Sequence, residues 1–155
     1  MNIGIIVYSQ TGNTDAVAQK LQEKLTAAGH TTTLERITVT GNVSPGAKDF
    51  QFTSSPAVDQ YDAVIFGAPV QAFSLAGVMT SYLSRLSSLS NKKAACFVTK
   101  QLPFNWTGGN RAISGMKKIC ASKGATVCET GIVIWSKSGR EQNISACVEK
   151  LSRVF

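Results

Sequence analysis

The chain has 155 residues, 43% of them apolar and 16% charged, a balance that suits a single globular domain over residues 1–155 with one core. No apolar run is long enough to cross a bilayer, and the N-terminus lacks the basic region and small-residue cleavage site of a signal peptide, so a cytoplasmic protein that makes no use of a membrane is expected. The net charge of +7 is one-sided: residues 1–77 carry four basic and six acidic residues, and residues 78–155 carry twelve basic and three acidic, a field that favours an anionic ligand or an acidic partner.

The first segment, Asn2 to Tyr8, is a short apolar run that fits a strand buried on both faces. The period then changes. Val17, Leu21, Leu25 and Ala28 form one apolar stripe, which predicts a helix from near Asn13 to Gly29. Thr31 to Val39 reads as a β-branched strand, and residues 40–60, with two prolines, two glycines and poor periodicity, as a long surface connection. Tyr61 to Gly67 reads as a third strand. Val78, Met79, Tyr82, Leu83, Leu86 and Leu89 mark a helix, Ala94 to Thr99 a fourth strand, and Ile113, Met116 and Cys120 a further helical stripe. Ala125 to Trp135 is a fifth strand, and Ile144, Val148, Leu151 and Phe155 mark a last helix. Five strands alternating with helices predict an α/β fold with an open parallel sheet covered on both faces, which binds ligands at the carboxyl ends of its strands.

The loops after strands one, three and four are therefore the informative ones. After strand one comes SQTGNT, where Ser9, Gln10, Thr11, Gly12, Asn13 and Thr14 supply more hydroxyls and turn residues than a capped turn needs. Together with the unpaired N–H groups and dipole of a helix N-terminus, they predict a phosphate cradle built from neutral donors. The chain has no G-x-x-x-x-G-K-[ST] for a nucleoside triphosphate and no G-x-G-x-x-G for a dinucleotide.

The pattern [ST]-x-T-G-x-T after the first strand of such a chain resembles the FMN phosphate loop of short-chain flavodoxins. That resemblance covers the whole chain in element order and implies a three-layer sandwich, a five-stranded parallel sheet of order 2-1-3-4-5, and FMN as cofactor. The segment GAPVQAFSLAG, residues 67–77, resembles the family's second flavin loop. It implies cofactor contacts from Ala68, Pro69, Val70, Gln71, Ala72 and Phe73, with Gly67 allowing close approach to the ring. Where many relatives carry a large aromatic just after the proline, this chain has Val70-Gln71-Ala72, with Phe73 following. Either Phe73 covers the ring, or that face is left to Gln71 and small residues and Phe73 packs in the core at the start of the next helix. The third loop, TKQLPFNWTGGNR, implies contacts from Thr99, Lys100, Gln101, Phe104, Trp106, Gly108 and Gly109, with Phe104 or Trp106 as a stacking partner.

The basic charge departs from the acidic family pattern. With Lys100 and Arg111 flanking the third loop, a reduction potential less negative than in an acidic relative is expected. The resemblance implies electron transfer between redox partner proteins, here partners with acidic faces, by a monomer or weak dimer. The alternative is an NAD(P)H-dependent quinone or flavin reductase. No catalytic side-chain set and no metal site emerge: the four cysteines lack ligand spacing, Cys96 and Cys128 lie in strands as core residues, and His30 is the single histidine. Receiver-type regulation needs carboxylates where Tyr8-Ser9 and Gly67-Ala68 stand. Nucleic-acid binding rests on charge alone and is not expected.

Overall fold

The computed structural model describes residues 1–103, 107–136 and 138–155. Its elements, in chain order, are β1 (Asn2–Val7), α1 (Asn13–Ala27), β2 (Thr31–Arg36), β3 (Thr38–Thr40), β4 (Gln51–Ser54), β5 (Ala63–Gln71), β6 (Ser74–Leu75), α2 (Gly77–Arg85), β7 (Lys93–Lys100), α3 (Gly109–Ser122), β8 (Thr126–Ile134) and α4 (Arg140–Ser152). β2, β1, β5, β7 and β8 hydrogen-bond in that order, all in parallel, which is the expected 2-1-3-4-5 arrangement of the five principal strands.

The sheet divides the core in two because successive strand residues point to opposite faces. Ile3, Ile5 and Val7 of β1 pack with Val17, Leu21 and Leu25 of α1 and with Ile144, Val148 and Leu151 of α4. Ile6 joins Val64 and Phe66 on the other face, under Met79, Tyr82 and Leu83 of α2 and Met116 and Cys120 of α3. Three layers result, with the helical stripes expected for α3 and α4 and Val17, Leu21 and Leu25 of α1 turned inward; Ala28, expected in the α1 stripe, caps that helix and is exposed. Phe155 lies past the end of α4 but still packs on the first of these clusters. Among the described residues no helix is long and apolar enough to cross a membrane.

Five expectations are corrected. The long connection contains β4, which pairs antiparallel with β3 as a two-stranded ribbon, and the strand expected over 31–39 breaks at Ile37 between β2 and β3. The ribbon was hidden because its apolar residues Val39, Phe50 and Phe52 are few and only half-buried, packing sideways on the α2–α3 core. The third strand does not stop at Gly67 but runs to Gln71, and then turns into β6. Gly67 is consequently a strand residue: a Cβ there would lie 2.2 Å from the Phe97 ring, so its smallness serves core packing rather than close approach to a ligand. Finally, Cys128 on the edge strand β8 is half-buried, whereas Cys96, Cys120 and Cys147 are buried.

Candidate functional site

The β1–α1 loop leaves the carboxyl end of β1 and enters α1 through Gly12, whose φ of 92° places it in the left-handed region. A turn this tight without a side-chain cap leaves the first N–H groups of the helix pointing outward. Ser9 Oγ accepts from the amides of Gly12 at 3.2 Å and Asp15 at 3.3 Å, which shapes the loop from inside. Among the described residues, the amides of Gln10, Thr11, Asn13 and Thr14 have no hydrogen-bond acceptor in the protein. Four unpaired N–H donors at the positive end of a helix dipole can hold a phosphate without a cationic side chain.

The hydroxyls behave differently from one another. Thr11 is exposed and available, whereas Thr14 is buried, its Oγ1 2.8 Å from the hydroxyl of Thr99 at the end of β7. Thr14 and Thr99 thus tie the first loop to the third, and each uses its hydroxyl on the other. The sequence did not reveal this bond, because 85 positions separate the two residues. It also missed Asp15 and Arg36. Arg36, the last residue of β2, donates from Nε to Asp15 at 2.6 Å and from its terminal nitrogen at 3.1 Å, a forked pair on the first turn of α1. The Arg36 guanidinium holds the Asp15 carboxyl below its ordinary pKa and offsets a negative charge that would oppose an anion there.

The segment from Ala68 to Leu75 is a hairpin. Val70 pairs with Leu75 and Gln71 with Ser74, so Ala72 and Phe73 form a two-residue turn with φ of 45° and 64°. Both values are left-handed, as in the turn type that favours Asn-Gly, and neither alanine nor phenylalanine adopts them without strain. Phe73 is 56% exposed at the tip, which removes the reading of it as a core residue opening α2. Gln71 Nε2 donates to Gln10 Oε1 at 2.5 Å, joining the hairpin to the first loop.

The hairpin tip leans on the third loop. Gly108, with φ of 112°, caps α3, and a Cβ on it would lie 2.5 Å from the Cα of Phe73. Only glycine permits this approach. Lys100, 4% exposed, folds its ammonium back on the loop, donating to the Leu102 carbonyl and to Thr107 Oγ1, the latter at 2.6 Å. Burial lowers its pKa. Gly109 packs on the Lys100 stem, so it supports the loop from below. Gln101 is exposed. Phe104 and Trp106, the expected stacking residues, lie outside the described residues.

A slot of about 260 Å3 opens between hairpin and third loop, lined by Val70, Ala72, Phe73, Lys100, Gln101, Leu102 and Thr107. Ala68 is buried and Pro69 half-buried in β5 ahead of the turn, and neither is among the described residues that line the slot. The three predicted loops thus meet at the carboxyl ends of β1, β5 and β7, with a cluster of unpaired amides beside a narrow slot. A larger cavity, about 690 Å3, is lined by Gln71, Ala72, Ser74 and Leu75 of the hairpin, by α2 and by residues from the stretch 45–52.

A family model described as a flavodoxin domain matches residues 4–103. Comparison with curated proteins gave no match. Among solved structures, flavodoxin 2 from Bacillus cereus, in its oxidised form, is similar with a TM-score of 0.72 and 17% identity, covering 100% of both chains. A flavoprotein in complex with FMN from Lactobacillus acidophilus gives 0.64 and 17%, covering 92% of this chain and 97% of its own. A flavodoxin, WrbA-like protein from Agrobacterium tumefaciens gives 0.68 and 15%, covering 99% and 98% respectively.

Proposed function

The chain belongs to the flavodoxin domain family, and from that premise we propose that it binds FMN at the ends of β1, β5 and β7 and carries electrons between partner proteins in the cytoplasm. The observation that carries this reading is the set of four unpaired amides at Gln10, Thr11, Asn13 and Thr14. A phosphate monoester needs several converging donors, and this cradle offers them with Thr11 alongside. The residues present fit the group. Val70, Ala72 and Phe73 would hold one side of its ring, with Lys100, Gln101 and Thr107 on the other. When bound, FMN takes up and releases one or two electrons.

The protein's own part is to bind, orient and set the local charge. Gln10–Gln71 and Thr14–Thr99 fix the first loop relative to the other two, so cradle and slot keep one spacing. Lys100 places a cation at the slot wall, which favours added negative charge there and supports a potential less negative than in an acidic relative. The twelve basic residues of the second half suit partners with acidic faces.

Binding is tested by titrating the apoprotein with FMN and with riboflavin, which lacks the phosphate, and following flavin fluorescence. Thr11→Glu puts a carboxylate into the cradle at an exposed position. It is expected to weaken FMN at least ~10-fold and leave riboflavin unchanged, because like charges in one site repel. Equal effects on both ligands, or no quenching by folded wild type, would sink the reading.

A second reading, an NAD(P)H-dependent quinone or flavin reductase, is favoured by the 690 Å3 cavity beside the hairpin, which has room for a second ligand. Steady NAD(P)H oxidation with a quinone by the pure, flavin-loaded protein would establish it in place of the carrier.

A further inference from the structure

The large cavity has a chemistry of its own. Its 690 Å3 falls within the ~300–1,000 Å3 common for small-molecule sites. One wall is aromatic: Phe50 and Phe52 stand edge to face, ring centroids 5.7 Å apart, and both pack on the α2–α3 core, so the wall is held in place. The Arg85 guanidinium lies over the Phe52 ring, 4.7 Å from its centroid, and Lys48 lines the same space. Thr80 and Ser81 of α2 add hydroxyls.

Among the described residues no carboxylate lines this cavity; Asp49, next in the chain to Lys48, is not part of the wall. Among the described residues neither Lys48 nor Arg85 is ion-paired. The positive field extends further. An adjoining hollow of about 380 Å3 shares Ser74, Leu75 and Thr80 and adds Arg111 and Lys118, again without an acidic residue among the described ones. An aromatic wall takes a flat apolar body, and unpaired cations beside it take an acidic group, Arg85 by a planar fork that stacks and hydrogen-bonds at once.

We propose that this cavity is a binding site for a flat, mainly apolar organic acid, with its rings against Phe50 and Phe52 and its acidic group at Lys48 and Arg85. The site is separate from the phosphate cradle of the first loop, and the inference stands whether or not that cradle holds a flavin. Since Ala72 also lines the slot at the third loop, a ligand here sits next to the hairpin that borders it.

The test is calorimetric titration with anilinonaphthalene sulfonate, a flat aromatic anion, and with uncharged phenylnaphthylamine as its neutral counterpart, each with and without saturating FMN. Wild type should bind one equivalent of the sulfonate, at least ~10-fold tighter than the neutral compound and unaffected by FMN. The double variant Lys48→Gln/Arg85→Gln should lose that preference. Ser81→Trp, which fills the cavity from α2, should abolish binding of both. Urea unfolding and FMN titration of each variant show that the fold and the cradle survive.

Displacement of the sulfonate by FMN would assign it to the flavin cradle and overturn the proposal. Unchanged binding in Ser81→Trp would do the same, as would an equal affinity for the neutral compound. A protein that binds the sulfonate as expected but fails to bind FMN would refute the flavin reading and leave this one intact.

Discussion

Buried hydroxyls tolerate the loss of a partner poorly, and Thr14 and Thr99 have each other at 2.8 Å. Removing one strands the other where water has little access, at a cost of about 1–2 kcal/mol. Thr14→Ala should therefore lower stability by that amount in urea unfolding, whereas Thr11→Ala, at an exposed position, should stay within ~0.5 kcal/mol. The two threonines look equivalent in SQTGNT, and their different roles follow from the side of the loop each faces. The Asp15–Arg36 pair makes a second residue-scale prediction. With the Asp15 pKa held down in the folded state, its contribution is present above the ordinary carboxylate range and is lost as pH falls through it. Both partners are partly solvated, so about 0.5–1 kcal/mol is expected. The stability difference between wild type and Asp15→Asn should be full near pH 7 and shrink as pH falls below the ordinary carboxylate range toward the lowered pKa of the folded state. A difference that grows toward acid would contradict the pairing.

At the scale of an element, the hairpin formed by β5 and β6 is the least comfortable piece of the fold and borders the candidate slot. Its two turn residues hold positive φ, a strain of order 1 kcal/mol or more for a residue as bulky as phenylalanine. An exposed ring in a strained conformation is retained at a stability cost, which is consistent with a role in covering a ligand. The double change Ala72→Asn/Phe73→Gly supplies the residues this turn prefers. It should raise stability by about 1 kcal/mol while weakening FMN several-fold; a variant that is more stable and binds equally well would show that Phe73 does not cover the ring. The sequence marked Gly67, Pro69 and Phe73 as belonging together, but not the hairpin. A turn written Ala-Phe carries none of the usual signal; the antiparallel pairing, the Gln71–Gln10 bond and the contact with Gly108 hold it.

Across the whole molecule, charge separates rather than mixes. The first half sums to −2 and the second to +9, and the Thr14–Thr99 bond joins the carboxyl end of β7, in the basic half, to the first loop. A positive field stabilises added negative charge over distances that salt screens, about 10 Å at 0.1 M ionic strength. The midpoint potential of the flavin-loaded protein should accordingly be less negative in low salt than in high salt. A net acidic field gives the opposite slope, so a potentiometric titration at two ionic strengths decides the sign.

Local information was enough for the order of the five principal strands and four helices, the parallel sheet and the three loops of the candidate site. Each depends on near neighbours: the apolar run from Ile3 to Val7, the stripe of Val17, Leu21 and Leu25, and the hydroxyls clustered within SQTGNT. What only the tertiary structure decided were partnerships between distant residues. Thr14 meets Thr99, Asp15 meets Arg36, Gly67 yields its space to Phe97, and Phe50 and Phe52 turn a stretch without periodicity into the wall of a cavity. Periodicity reports which face of a segment is buried, but not what lies across from it. That depends on the packing of β2, β1, β5, β7 and β8 with their helices, which brings residues far apart in the chain within a few ångströms of one another.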